Sequence, residues 1–227
     1  MKILDLFCCA GGAGMGYHQA GFAVVGVDIV EQPNYPFEFH QADAIEFVKE
    51  HGHEFDAIHA SPPCQAYSLL NAYNHKVYPD LVEETRKALV ATGLPYVIEN
   101  VPQAPLLDPV ILCGAMFGLQ VYRHRGFETS FPLFPLLAPP HPKHTARCIR
   151  NGYLPTPEAP FMSIHGGKHS KAWQRKAAEV MGVPWTTSIN EVCESIPPAY
   201  TRYIGKELLA GPAERVGQLT LQLDDAA

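Results

Sequence analysis

The fold is decided by a stretch near the start of the chain, Lys2-Ile3-Leu4-Asp5-Leu6-Phe7-Cys8-Cys9-Ala10-Gly11-Gly12-Ala13-Gly14-Met15-Gly16. Its first six residues are mostly apolar and predict a buried strand, and the small residues after them predict a turn that opens a helix reaching about residue 19. Glycines let a ligand approach the backbone, and the free amides of a helix N-terminus favour a polar or negative group. The dinucleotide pattern Gly-x-Gly-x-x-Gly fails in both frames, because Tyr17 takes the last position of one and Cys9 the first position of the other. The stretch therefore predicts a nucleotide-binding start and argues against a nicotinamide dehydrogenase.

Strands and helices alternate beyond this turn. Residues 22–27 predict a second strand that ends at Asp28, whose carboxylate can accept both hydroxyls of a ribose. A helix is expected near residues 42–49, and Asp43 at its start has two alternative duties, capping the helix or contacting an adenine amine. The alternation predicts an α/β fold with a mostly parallel sheet and helices on both faces.

A cysteine stands in the loop after the next predicted strand, a short buried one with Phe55, Ala57 and Ile58. The loop is Ser61-Pro62-Pro63-Cys64-Gln65-Ala66-Tyr67-Ser68. Loops at strand ends hold the chemistry of open α/β sheets, and two prolines fix the backbone directly before the Cys64 thiol. The alternative is a small apolar core residue, which a free cysteine usually is. Residues 65–79 are a candidate lid.

A carboxylate ends another predicted strand. Residues 94–98 read as a buried strand, and Glu99 follows at its C-terminal end, where it is placed to act as a general acid or to hydrogen-bond a substrate base. A paired surface glutamate is the alternative. Asp80 is expected to cap a helix over residues 80–91. Further strands are predicted at 110–113 and 127–130, separated by a turn that carries Arg123-His124-Arg125.

Size and composition indicate one domain. A chain of 227 residues can form one well-buried α/β domain and is too short for two. No apolar run is long enough to span a bilayer, and Asp5 interrupts any signal-like start, so a soluble, cytoplasmic protein is expected. The six cysteines show no disulfide-framework spacing, which fits reduced thiols.

Charge is segregated along the chain. The formal net charge is -6, yet residues 123–176 hold nine Lys and Arg against two acidic residues. Such a segment predicts a surface that faces a polyanion, and the alternative is a set of charges scattered over a solvated surface. Prolines between 131 and 160 exclude long helices and central strands, so residues 131–171 predict an irregular insert. Three soft ligands lie between 141 and 148 without a fourth at suitable spacing, so no metal is expected.

The ordered motifs resemble those of the DNA (cytosine-5)-methyltransferase family over about residues 3–209. Asp5-Leu6-Phe7 with Gly11-Gly12 resembles its first cofactor motif, and Pro62-Pro63-Cys64-Gln65 resembles its nucleophile loop. Glu99-Asn100-Val101 resembles its glutamate motif, and Arg123-His124-Arg125 its paired-arginine motif. The closing Ser195-Ile196-Pro197-Pro198-Ala199-Tyr200 resembles the short, phage-like members.

The resemblance implies a Rossmann-like enzyme that uses S-adenosylmethionine, releases S-adenosylhomocysteine and acts on duplex DNA with base flipping. A monomer in the cytoplasm of a bacterial or phage-infected cell is expected. Cys64 would add to C6 of cytosine, Glu99 would hold N3 and the exocyclic amine, and Arg123 and Arg125 would fix the O2 edge or a phosphate. The implied cofactor residues are Phe7, Ala10, Gly11, Gly12, Asp28, Ile29, Asp43, Pro63 and Ser195. The implied substrate residues are Ser61, Gln65, Ser68, Asn100, Lys143, Arg147 and Arg150.

Three residues depart from the family pattern: Cys9 replaces a glycine, Asp28 a glutamate, and Glu194 an asparagine. The expected organisation is a catalytic domain over 1–130, a short target-recognition insert over 131–171, a completing segment over 172–211 and a peripheral tail over 212–227. Because the insert is short, the recognised site is expected to be short or relaxed. Two other functions stay open, methylation of free deoxycytidine nucleotides and catalytically silent binding of S-adenosylmethionine.

Overall fold

The computed structural model describes residues 1–67, 77–137, 154–157 and 159–210. Four predicted substrate residues, Ser68, Lys143, Arg147 and Arg150, lie outside these ranges. So do most of the candidate lid, the soft ligands at 141–148 and the tail.

A mixed, mostly parallel sheet of seven strands forms the centre, in the order β3-β2-β1-β4-β5-β7-β6. The first five strands in this order run parallel, and β7 is antiparallel to both β5 and β6. This confirms the predicted α/β fold and adds an antiparallel edge that the sequence did not reveal. The strands are β1 Lys2–Leu6, β2 Ala23–Asp28, β3 Glu38–Gln41, β4 Ala57–Ala60, β5 Tyr96–Asn100, β6 Val110–Leu112 and β7 Arg125–Thr129.

Helices cover both faces of the sheet, as predicted. They are α1 Gly12–Ala20, α2 Ala44–His51, α3 Val82–Thr92, α4 Lys171–Met181, α5 Ile189–Glu194 and α6 Pro198–Leu209. One face is covered by α1 and α6, whose Tyr17 and Tyr200 are fully buried. The other face is covered by α2 and α3 through Val48 and Leu89. Within the described ranges, no helix has the length and apolarity to cross a membrane.

The contact between α1 and α6 depends on a glycine. A Cβ added to Gly16 would overlap the Pro198 backbone oxygen and the Thr201 hydroxyl, so the two helices can approach this closely only where a side chain is absent. The Thr201 hydroxyl donates to the Ala13 carbonyl at 2.8 Å and fixes the register of the pair.

A third apolar cluster joins α4 and α5, with Trp173 fully buried at its centre. Ser170 caps α4 by accepting from the Trp173 amide at 3.2 Å. This cluster is tied to the region before β7 by a parallel bridge between Val121 and Met162.

Several local predictions were wrong. Asp80 does not cap α3, because Leu81 is the N-cap residue and the Asp80 carboxylate accepts the Tyr67 hydroxyl instead. Strand β4 begins at Ala57, so Phe55 lies before it. Strand β3 and helix α5 were not predicted; β3 is mostly exposed and has no apolar face, and α5 is only one and a half turns long.

Candidate active site

Three side chains from different strands meet at one edge of the sheet. The carboxyl ends of parallel strands share an edge, so the loop after β4 brings Cys64 beside Glu99 of β5. Strand β7 runs the other way and begins at this edge with Arg125, whose Nε lies 2.9 Å from Glu99 Oε1. Because β7 is antiparallel to β5, its first residue, Arg125, lies next to Glu99.

These side chains line one cavity of about 400 Å³ together with the glycine turn. Eleven predicted site residues line it: Phe7, Gly12, Asp28, Ile29, Ser61, Pro63, Cys64, Gln65, Glu99, Arg125 and Ser195. Five predicted residues do not line it: Ala10, Gly11, Asp43, Asn100 and Arg123. The cavity also takes in residues that the sequence did not suggest, among them Asp5, Cys8, Val30 and Cys193.

The glycine turn is held in an unusual backbone conformation. Phe7, Cys9 and Gly11 have φ values of 55°, 43° and 82°, in the left-handed region that only glycine adopts without cost. The turn is supported from the far end of the chain by the Trp185 indole, which donates to the Ala10 carbonyl at 2.7 Å. Ala10 and Gly11 thus shape the turn from behind the cavity.

Asp28 closes the other side of this turn. One carboxylate oxygen accepts the Cys9 amide and the other accepts the Val30 amide, each at 3.0 Å. The exposed side chains of Ile29 and Val30 follow directly and give the mouth of the cavity an apolar wall. Contact between Asp28 and a ribose stays a prediction.

The loop that carries Cys64 is clamped to β5. The Asn100 side chain donates to the Pro62 carbonyl at 2.9 Å, which is why Asn100 stands behind the cavity and not in it. Burial raises the pKa of the Cys64 thiol, Arg125 and Arg123 lower it, and Glu99 raises it. The arginines therefore favour the thiolate that a nucleophile requires.

Glu99 is buried, and burial raises its pKa. Three effects oppose that rise, in decreasing order: the charge of Arg125, the hydrogen bond from Ser61 and the charge of Arg123. Opposing effects of this kind are found at functional sites.

Arg123 has a different position from its neighbour. Its guanidinium donates to the backbone carbonyls of Cys193 and Ser195, the latter at 2.7 Å, and burial followed by the charge of Arg125 lowers the pKa of Arg123 to about 9. Arg123 also lines a second cavity of about 300 Å³, and Arg125 lines both cavities. In the second cavity the rings of Tyr122 and Phe161 are stacked with their centroids 4.5 Å apart. The structure thus gives Arg123 a tie to the Ser195 segment, and its contact with a base or phosphate stays a prediction.

Residues 1–107 match the model of the family described as C-5 cytosine-specific DNA methylase. The matched residues make up just under half of the chain. It is 30% identical over 182 residues to the type II methyltransferase M.AgeI of Thalassovita gelatinovora. The match covers 63% of this chain and 42% of that protein, so the chain spans about two fifths of the length of this curated relative.

Solved structures show the same fold at low identity. An E. coli prophage-encoded protein, described as a DNA modification methyltransferase, superposes with a TM-score of 0.61 and 16% identity, covering 92% of this chain and 98% of that one. The S. pombe Dnmt2 methyltransferase gives a TM-score of 0.57 and 14% identity, covering 92% and 98%. The Entamoeba histolytica methyltransferase EhMeth gives a TM-score of 0.54 and 13% identity, covering 93% and 99%.

Two more predicted residues have local structural roles. Asp43 caps α2, since its Oδ1 accepts the Ile45 and Glu46 amides at 2.9 and 3.0 Å, and its contact with adenine stays a prediction. The Ser195 hydroxyl donates to the Glu191 carbonyl at 2.6 Å, and Ser195 lines the cavity. Among the described residues no group of three or more His, Cys, Asp or Glu could hold a metal ion.

Two residues that shape this cavity were not among the predicted site residues. Asp5 is fully buried under the glycine turn, and burial raises its pKa to about 8. Trp185 supports the turn from 175 residues away. A charged residue inside the apolar first strand was the available signal for Asp5, whereas nothing local marked Trp185.

Proposed function

We propose that this protein transfers a methyl group from S-adenosylmethionine to C5 of cytosine in DNA, at a short or relaxed recognition site. One observation carries the proposal: Cys64, Glu99 and Arg125 share a single cavity with the glycine turn at the carboxyl edge of the sheet. A thiol, a buried carboxyl group and a guanidinium are the groups that covalent activation of a cytosine ring requires.

The cavity fits a nucleoside cofactor. Its volume of about 400 Å³ lies in the range of small-molecule sites, and it combines the start of α1, the Asp28 carboxylate and the apolar Ile29 and Val30. Phe7, Gly12, Pro63 and the Ser195 segment are the further residues that would hold it. When bound, S-adenosylmethionine supplies an electrophilic methyl group on a sulfonium.

The chemistry of the chain follows from the cytosine ring, whose C5 is a poor nucleophile. Attack of the Cys64 thiolate forms a bond from sulfur to C6 and moves electron density to C5, which can then accept the methyl group. Glu99 is placed to hold N3 and the exocyclic amine as charge develops there, and Arg125 is placed to steady the ring and the carboxylate. Loss of the C5 proton and rupture of the bond from sulfur to C6 restore the aromatic ring and free Cys64.

For a duplex substrate the cytosine must leave the base stack to reach a thiol at the edge of a sheet. We assign phosphate contacts to the basic segment, including Lys143, Arg147 and Arg150, because each neutralised phosphate adds salt-dependent affinity. Reversing these three charges is expected to weaken duplex binding and flatten its salt dependence, measured by fluorescence anisotropy from 50 to 200 mM salt. Unchanged binding would remove this segment from the DNA contact.

The substrate class is tested by offering tritiated S-adenosylmethionine with duplex DNA, single-stranded DNA, RNA and deoxycytidine monophosphate in parallel. Label in duplex DNA supports the proposal. Label only in the mononucleotide would show an enzyme for free nucleotides. Cofactor binding without label in any acceptor would show a silent binding protein.

The covalent step is tested with duplex DNA that carries 5-fluorocytosine, from which the C5 substituent cannot leave as a proton. The native protein should form a complex that survives denaturing electrophoresis, and Cys64→Ser should form none while it still binds cofactor. Cys113→Ala is the matched control, because Cys113 is buried outside the cavity. A trapped complex with Cys64→Ser would refute the nucleophile.

A further inference from the structure

A line of hydrogen bonds runs from the core to the candidate active site. The Tyr17 hydroxyl lies 3.0 Å from His59 Nδ1, and His59 Nε2 lies 2.9 Å from the Ser61 hydroxyl. The Ser61 hydroxyl in turn hydrogen-bonds the Glu99 carboxylate. The line joins α1, β4, the loop after β4 and β5, and neither Tyr17 nor His59 is accessible to solvent.

The direction of each bond follows from the chemistry of the groups. Burial lowers the pKa of His59 to about 3, so the ring is neutral and has one donor and one acceptor nitrogen. A charged carboxylate can only accept hydrogen bonds, so the Ser61 hydroxyl donates to the charged form of Glu99. Ser61 Oγ must then accept from His59 Nε2–H, and His59 Nδ1 must accept from Tyr17.

We propose that Tyr17, His59 and Ser61 form a one-directional hydrogen-bond chain that orients the Glu99 carboxylate toward the cytosine ring. The inference rests on the function proposed above and makes His59 and Ser61 positioning residues. Ser61 acts on the substrate through Glu99, in place of the direct substrate contact expected from the sequence.

Two donors from opposite sides fix the carboxylate. Arg125 Nε reaches Oε1 from β7 at 2.9 Å, and Ser61 donates from the β4 side. Since rotation of the carboxylate would break one or both bonds, the pair sets the plane in which Glu99 meets a base. With Arg125 alone, the carboxylate would be held from one side.

The hydrogen-bond chain positions Glu99 but does not supply it with a proton. Passing one along would move the Ser61 proton to Glu99, the His59 Nε2 proton to Ser61 and the Tyr17 proton to His59 Nδ1. That transfer would leave a tyrosinate in the core, where burial raises the pKa of Tyr17 well above its ordinary value. A proton on Glu99 must therefore come from the substrate or from solvent.

The tautomer of His59 tests the chain without any assay of activity. In ¹⁵N-labelled protein, correlation spectra of the imidazole rings should show that His59 is protonated on Nε2 and unprotonated on Nδ1. The ring should stay neutral down to about pH 4. The signals are assigned by their loss in His59→Gln. A ring protonated on Nδ1, or a ring that gains a second proton near pH 6, would overturn the proposal.

Kinetics test the positioning role. Ser61→Ala should lower kcat roughly tenfold or more and leave the Kd of S-adenosylmethionine within about threefold, because the carboxylate loses orientation and not its neighbours. Ser61→Thr, which keeps the hydroxyl, should restore most of kcat. Ser130→Ala is the matched control, since the Ser130 hydroxyl only accepts the Tyr96 amide at 2.8 Å.

The pH profile separates positioning from a general loss of structure. The groups that act electrostatically on Glu99 or are acted on by it are Arg125, Arg123, Cys64, Cys9 and Tyr200, and all of them remain in the variant. Removing the Ser61 donor leaves burial less opposed, so the midpoint assigned to Glu99 in the kcat profile should move to higher pH. An unchanged kcat and midpoint would overturn the inference. If the native protein methylates no acceptor, the proposed function fails, and the His59 tautomer still decides whether the chain exists.

Discussion

Asp5 is predicted to make the stability of this protein depend on pH. The carboxyl group has no exposed surface and accepts the Tyr35 hydroxyl at 3.1 Å on Oδ2, while Oδ1 has no hydrogen-bond partner within the described residues. Burial is the largest cause that raises its pKa from 3.8 to about 8. The folded protein therefore binds this proton more tightly than the unfolded chain does.

The magnitude follows from proton linkage, in which each pKa unit corresponds to about 1.4 kcal/mol. Below about pH 4 both states are protonated and the residue costs nothing. Between pH 4 and pH 8 the folded state alone keeps the proton, so stability falls as pH rises. The cost is about 4 kcal/mol at pH 7 and levels off near about 6 kcal/mol above pH 8.

Asp5→Asn removes this dependence because asparagine resembles the protonated carboxyl group. Urea unfolding of both proteins without cofactor should give a difference of only about 1 kcal/mol near pH 4.5 and an advantage of several kcal/mol for Asp5→Asn at pH 8.5, on the order of the linkage value. Asp56→Asn, at an exposed position, controls for the change in net charge. A stability difference that is the same at both pH values would refute the reasoning, because it would mean that Asp5 is charged throughout.

Three further substitutions have defined outcomes. Gly16→Ala should lower the unfolding free energy by about 2 kcal/mol or more in urea titration, because the new methyl group overlaps the Pro198 backbone oxygen. Arg86→Met should cost about 3 to 5 kcal/mol by the same measurement, because it strands Glu128, which Arg86 contacts at 2.8 Å in a buried pair; equal stability would mean that Glu128 is solvated. Trp185→Phe should weaken binding of S-adenosylmethionine by roughly tenfold in calorimetry with little change in stability, because it removes one neutral hydrogen bond that shapes the glycine turn. Unchanged affinity would show that the turn keeps its conformation without this bond.

The pairing of Cys64 with Glu99 was predictable because parallel strands impose it. A residue that follows a buried strand must lie at the carboxyl edge of the sheet, so Cys64 and Glu99 could be placed together from the spacing of apolar segments alone. Arg125 was predictable only by resemblance, since no local pattern showed that β7 reverses direction. The register that pairs Asn100 with Gly126 puts Arg125 there.

The residues that hold this cluster in place were not predictable, because their side chains hydrogen-bond to backbone groups that are distant in sequence. Asn100 reaches a carbonyl 38 residues away, and Arg123 reaches one 72 residues away. A hydropathy pattern does not indicate which distant backbone group a polar side chain will bind. The wrong cap at Asp80 has the same origin, because a distant hydroxyl from Tyr67 competes for the carboxylate that local rules assign to the helix.

The pairing of α1 with α6 sets an order on synthesis. The ribosome completes the glycine turn and α1 within the first twenty residues, but the helix that packs against it and the indole that supports the turn emerge only after residues 185–209. Throughout elongation the nascent chain therefore exposes the apolar side of α1, and the cavity under the glycine turn is completed late. A two-piece protein divided within 138–153 would be expected to regain that cavity only when both pieces meet.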